Sequence, residues 1–535
     1  MTLSVKPKPR SCVQPDMTTQ QQLQHLYWRA GFGPRPEDVA AGLSPRKALR
    51  QLLQNSDKVE LLDSPQMRYM EPLAQFRPVA PGSGTPQNSM VTTPDQTMTG
   101  NGQPAPVAAV PSRSALPKGR SQPPLLRRKE MTPQERKMQN QSIRDAFYAM
   151  NTGWMQRMAT SPAQLREKLT LFWHGHFACR VRRPDAALHL NNTIRQLALG
   201  KFGDLLLAVS KEPAMLQFLN NQQNRKQHPN ENFAREVMEL FTLGRGHYAE
   251  TDVKEAARAF TGWGYDNQGA FVFRANQHDD GPKTFLGRTG NFGGEEVLSI
   301  ILEQPACAEF ITTKLYRFFV NDVPNAQHIG PLAQAFFRSG YDIRALLEQM
   351  FSADWFYDSA NVGTRIKSPV ELLAGIKRTL GLQLVDDKPL IVFQKALGQT
   401  LFEPPNVAGW PGGRNWIDSS SLLYRLQLPS VLLKNAEFSV SLKQDENDIA
   451  PNLSRADRTF QEPVKTTVRL APVQALLAKT PPAQQTAQLG QFLLQAPLRP
   501  DNLALIQQAA DKAPAEGRLR TMVTALLSLP EYQLM

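Results

Sequence analysis

Six of the eight histidines, His174, His176, His189, His228, His247 and His278, fall between residues 174 and 278, far more than that stretch's share of 535 residues. Imidazoles gathered in this way are raw material for a metal centre or a general acid–base site. The first group is Phe172-Trp173-His174-Gly175-His176-Phe177. Residues i and i+2 of a continuous α-helix point about 200° apart, so His174 and His176 can serve one ion only if Gly175 ends or distorts the helix. On an extended segment they share a face. The competing reading packs both between helices, donating to backbone carbonyls.

The second group is His228-Pro229-Asn230-Glu231-Asn232-Phe233-Ala234-Arg235-Glu236-Val237-Met238-Glu239-Leu240. Asn230 as N-cap and Gly244 as the C′ residue predict a helix from Glu231 to Leu243. On it Phe233, Val237, Leu240 and Phe241 form an apolar face, while Asn232, Arg235, Glu236 and Glu239 form one polar stripe. Carboxylates at i and i+3 after a histidine can build a metal or acid–base site in a helical bundle, and the same stripe can equally be solvated. The third group, Asn276-Gln277-His278-Asp279-Asp280-Gly281-Pro282-Lys283, offers a ligand, a base and an anion-binding cation on a Gly-Pro turn. Asp252 to Glu255, with Arg258 beside Thr261-Gly262-Trp263, reads as supporting scaffold.

Taken together these residues predict a metal-dependent enzyme, hydrolytic or oxidative. His174, His176, His228, His278 and Glu236 would be ligands of zinc or iron, with Glu239 as the alternative carboxylate. Glu239 or Asp279 would act as base on a metal-bound water, and Arg235 and Lys283 would orient carboxylates or neutralise an anionic substrate. The alternative is a non-enzymatic helical scaffold that binds a partner protein or an envelope polymer. In it the His, Asn and Glu residues are a buried hydrogen-bond network. A further loop, Pro404 to Trp416, carries Trp410 and Trp416 and serves either as an aromatic platform or as a plug in the helical core. No P-loop, dinucleotide glycine loop, Gly-x-Ser-x-Gly elbow, His-Glu-x-x-His or deaminase signature occurs, so no motif names a reaction.

The elements that must position these groups are mainly helical. Residues 18–73 read as short helices, the first broken by Gly31-Phe32-Gly33-Pro34. Residues 74–130 are Pro, Gly, Ser, Thr and Gln rich without an apolar period, which predicts a disordered linker or insertion. A helical core over 131–443 resumes at Thr132, whose Thr-Pro-Gln-Glu predicts a capping box and a helix to about Ala159. Ser161-Pro162-Ala163-Gln164 predicts the next helix start, and Leu165, Leu169, Phe172 and Trp173 its buried side. Ala270 to Arg274 predicts a strand or hairpin arm. A polar linker over 444–470 and C-terminal helices over 471–535 complete the chain, behind a flexible tail at 1–17.

Composition narrows the function classes. The net charge is +13, and through residue 130 there are 17 Lys plus Arg against 9 Asp plus Glu, so +8 lies in the first quarter of the chain, much of it in or beside the low-complexity segment. No nucleic-acid recognition motif accompanies it, and a solvated basic segment explains it. Three cysteines, Cys12, Cys179 and Cys307, are too scattered for a disulfide framework or a thiolate zinc site. There is no apolar run long enough for a membrane span, and Met1 to Met17 lacks an apolar signal-peptide core, which predicts a cytoplasmic protein.

The ordered run of motifs resembles the bacterial family catalogued as domain of unknown function eighteen hundred. The resemblance rests on His25-Leu26-Tyr27-Trp28-Arg29-Ala30-Gly31-Phe32-Gly33, the 172–177 and 228–244 segments, and Ala257-Arg258-Ala259-Phe260-Thr261-Gly262-Trp263. It rests also on His278-Asp279 with Lys283, and on Pro405-Asn406-Val407-Ala408-Gly409-Trp410-Pro411. It implies a mostly helical protein, often encoded beside a sulfatase-like partner from the family catalogued as domain of unknown function fifteen hundred and one. That partner family's export signals imply the periplasm or cell envelope. The resemblance brings no established activity with it.

Overall fold

Thr18, Thr132 and Ser368 start helices by the same device. Each hydroxyl accepts from the N3 amide, while the N3 side chain, Gln21, Glu135 or Glu371, accepts from the cap's own N–H. The helices they start are Thr19–Ala30, Pro133–Thr160 and Pro369–Leu380. The last is buried along its whole length, packs against Pro133–Thr160 and meets Thr19–Ala30 at Trp28. At Gly375 an added Cβ would lie 2.8 Å from the Trp28 ring, so the absence of a side chain lets the N-terminal helix approach.

The computed structural model describes residues 17–64, 132–434, 436 and 464–535. These hold 21 α-helices and three two-stranded antiparallel pairs, a mainly α fold around one continuous hydrophobic core that runs from Leu23 to Met535. The expected hairpin arm is there: Trp263–Tyr265 pairs with Phe271–Phe273. Lys283–Phe285 pairs with Arg288–Gly290, and Gln383–Leu384 with Thr466–Thr467, so the last residues of the expected polar linker join the fold. Most of the tail, all of the 74–130 insertion and residues 444–463 of the polar linker lie outside the described residues. Among the described residues no helix is long and apolar enough to cross a membrane.

Two elements differ from the sequence reading in ways that matter for the site. The helix expected at Ser161 begins at Gln164, because Ser161 Oγ accepts from the Ala163 N–H and the Gln164 amide donates to Met158 O and Ser161 O, closing a tight corner. The helix expected over 231–243 is α only over Asn232–Glu236 and then widens to a π-helix over Val237–Thr242. Two side chains from outside satisfy the carbonyls of its last turn: Lys314 Nζ donates to Leu240 O at 2.9 Å, and His176 Nε2 lies 3.1 Å from Phe241 O. Widened turns of this kind recur at functional sites. Gly244 ends the element as expected, with φ +78° and its N–H on Met238 O.

The C-terminal helices, Ala471–Leu476, Pro482–Leu493, Pro500–Lys512 and Ala515–Leu527, are no appendage. The chain end returns to the core: Met535 N–H donates to Arg365 O and Lys367 N–H to Gln533 O, both at 2.8 Å, with Tyr532 and Met535 fully buried.

Candidate functional site

Helix Gln164–His176 runs through Gly175 unbroken, so its two histidines point to opposite sides. His174 faces Trp154, Phe402 and Trp410, with ring centroids 5.2, 5.3 and 5.6 Å away. Its Nε2 accepts from the Phe402 N–H at 3.1 Å, which assigns the ring proton to Nδ1. Burial first, and the Arg195 charge second, hold its pKa down at about 3, so it is neutral at any physiological pH. His176 lies among Phe172, Trp173, Phe177 and Phe241. Its Nε2 donates to Phe241 O, leaving Nδ1 to accept from the Lys314 ammonium at 3.1 Å. Burial and then the Lys314 charge push its pKa well below the usual range. Lys314 is itself pulled down to about 8, by burial and then by Arg317, and the polar contacts it makes are to His176 and a carbonyl.

The other candidate ligands are spread apart. His228 is exposed on the loop that precedes the α-turn, its N–H on Arg225 O. Glu236 is half-buried, its carboxyl raised by burial and then by the neighbouring Glu239. Glu239 accepts from Arg245 Nε at 2.6 Å and from the Tyr248 hydroxyl at 3.2 Å. Arg235 spans Glu250 with two 2.8 Å bonds and reaches Glu231 at 3.2 Å, an exposed network worth little to stability. His278 is buried, with Nδ1 2.9 Å from Thr261 O and 3.2 Å from Thr261 Oγ1. Asp279 is gripped by Arg258 at 2.8 and 3.1 Å, and Lys283 Nζ donates to Asp279 O and Gly281 O. The third group is thus a loop tied to itself and to Arg258, the residue read from sequence as scaffold. Among the described residues no group of three or more His, Cys, Asp or Glu is arranged to hold a metal ion.

The loop Pro404 to Trp416 plugs the end of the His174 helix. Gly409 sits at φ +82°, and a Cβ there would be 2.3 Å from Gly175 O. Trp416 is buried and Trp410 partly so.

The strongest concentration of charge was not singled out in the sequence. Lys168, fully buried, pairs with Glu371 Oε1 at 2.6 Å. Around that pair lie Arg29, Lys367 and Arg425, each 0% exposed, and Arg365 at 6%. Lys367 Nζ is clasped between the Trp28 and Tyr532 rings, 3.7 Å from each centroid, and donates to Tyr532 O. A second buried pair joins Arg195 to Glu167, which also accepts from Trp154 Nε1. The signal was present: Lys168 shares the Leu165, Leu169, Phe172 face, where a lysine has no business unless a partner awaits it.

The model of the family described as Protein of unknown function (DUF1800) matches residues 25–534 of this chain. No curated protein and no solved structure matches it.

Proposed function

Because this chain belongs, over nearly its whole length, to the DUF1800 family of unknown function, we propose its role from its own residues. It acts as a helical scaffold that binds a partner, with its histidine, asparagine and glutamate segments serving as internal hydrogen-bond ties. The observation that supports this reading is the use made of the His174 and His176 nitrogens. The His174 Nε2 lone pair that a metal would need holds the Phe402 amide, and His176 ties Phe241 O to Lys314. Both contacts join the helix to distant segments, the function of a structural network. The competing reading, a zinc or iron enzyme, requires these imidazoles to release those partners and turn toward His228 and Glu236.

Elemental analysis of protein purified without an affinity-metal step separates the two. The expected result is a folded protein with far less than one zinc or iron per chain, and a His174→Ala variant that only melts earlier. Stoichiometric metal, lost in both His174→Ala and Glu236→Ala, would sink the scaffold reading. The sulfatase-like family implied by the resemblance supplies the first partner to test, by co-expression and size-exclusion chromatography.

A further inference from the structure

Arg29 and Arg365 meet at one place inside the fold. Arg29 Nη2 donates to Asn361 O at 2.6 Å and to Thr364 Oγ1 at 3.2 Å, which fixes its guanidinium against the loop that continues into Arg365. Asn321 Nδ2 donates to Asn361 Oδ1, and the next residue, Asp322, is the exposed carboxylate at the rim. Arg29 Nε and Nη1 have no hydrogen-bond partner although they are buried, and Arg365 Nε has only Asp322 Oδ1 at 3.6 Å, beyond hydrogen-bond reach. The Arg365 Nη1 donates to Phe318 O, and its guanidinium carbon lies 5.1 Å from the Phe318 ring. Lys168 Nζ also stands over this ring, 5.7 Å from its centroid.

Charge makes the same point as the orphaned donors. Arg29, Arg365 and Lys168 face two carboxylates, Glu371 and Asp322, and Arg425 lies behind Lys367, whose ammonium burial pushes well below its usual pKa, so cationic groups outnumber anionic ones even with Lys367 left out. Buried guanidinium groups that keep some N–H donors unpaired are costly, because the desolvation of those donors is not offset. A multiply charged oxyanion removes both defects, since its oxygens accept from several N–H groups at once and its charge offsets the surplus. A carboxylate supplies one charge and two oxygens; a phosphate supplies up to two charges and more acceptor positions.

We propose that Arg29 and Arg365, backed by Lys168, form a binding site for a phosphate-type oxyanion, free or as a monoester, reached from the Asp322 side. The full chain is melted at pH 7.5 in 10 mM inorganic phosphate and in sodium chloride of equal ionic strength. Phosphate is expected to raise the melting temperature by about 3 °C, the scale for a ligand well above its Kd on a chain of this size. Arg29→Gln and Arg365→Gln are expected to abolish that rise. Equal melting of the wild type in the two salts, or a full rise retained in both variants, overturns the site. If the variants do not fold, calorimetric titration of the wild type decides: one saturable phosphate per chain supports the site, and no heat overturns it. A parallel arm with glycerol phosphate distinguishes the source: stabilisation by both ligands assigns an open site for an esterified group, and by inorganic phosphate alone an enclosed ion.

Discussion

Glu371→Gln is expected to lower stability by about 3–5 kcal/mol, because it leaves Lys168 and its neighbouring cations without their one fully buried counter-charge. Burial pushes the Glu371 carboxyl pKa up, but the Lys168 and Arg365 charges and the hydrogen bonds from Lys168 and the Ser368 N–H outweigh it and hold it at about 2. Lys168 moves the opposite way to what a simple ion pair predicts. Burial drops it to about 8 in spite of Glu371, with Arg365 and Arg29 adding to the fall. The carboxylate is the group this cluster favours in charged form, because cations surround it. Its folded pKa is depressed, so its contribution is fully present above about pH 5 and is lost as pH falls through the carboxylate range toward 2. Denaturant melts from pH 7 to pH 3 check this. The wild type should lose stability along that path more steeply than Glu371→Gln; parallel curves, or a variant as stable as wild type at pH 7, would refute the assignment.

Gly409→Ala is expected to cost about 2–4 kcal/mol, the sum of a left-handed backbone position for a residue with a Cβ and a hard overlap. The overlap is with Gly175 O, 2.3 Å from the new methyl, a backbone atom that no rotamer change can move. The loop must lift from the end of the His174 helix, carrying Trp410 off the imidazole. Tryptophan emission should shift to the red along with the earlier melt. Gly412→Ala is the control, since a Cβ at Gly412 meets nothing and its φ of −97° suits any residue. If the two variants melt alike, the loop is not held where Gly409 places it.

Local chemistry in the sequence accounts for much of the fold. The capping boxes at Thr18 and Thr132, the break after Ala30, the hairpin arm near 271 and the stop at Gly244 all follow from interactions within a few residues of each other. Such signals are complete in the one-dimensional chain. Two elements depart from what spacing alone predicts. The carbonyls that end the π-helix over Val237–Thr242 are taken by Lys314 and His176, 74 and 65 residues away in sequence, contacts that no local signal announces. The late start of the His174 helix has a more local cause, the Gln164 amide turned back onto Met158 O and Ser161 O.

The candidate chemistry divides along the same line. From the sequence alone follow a mainly helical chain, membership of its family, and the individual segments in which polar residues are concentrated. Residue types and spacing fix these because helix periodicity and capping are properties of neighbours. Which of those residues meet was decided by the tertiary structure. A helix that continues through Gly175 turns His174 and His176 apart, while the return of the chain end to Arg365 and Lys367 helps gather Arg29, Lys168, Glu371 and Arg425 from across some four hundred residues. Burial is the physical reason the second set outweighs the first. A charge in the core must find partners wherever the chain supplies them, and sequence distance has no bearing on that requirement.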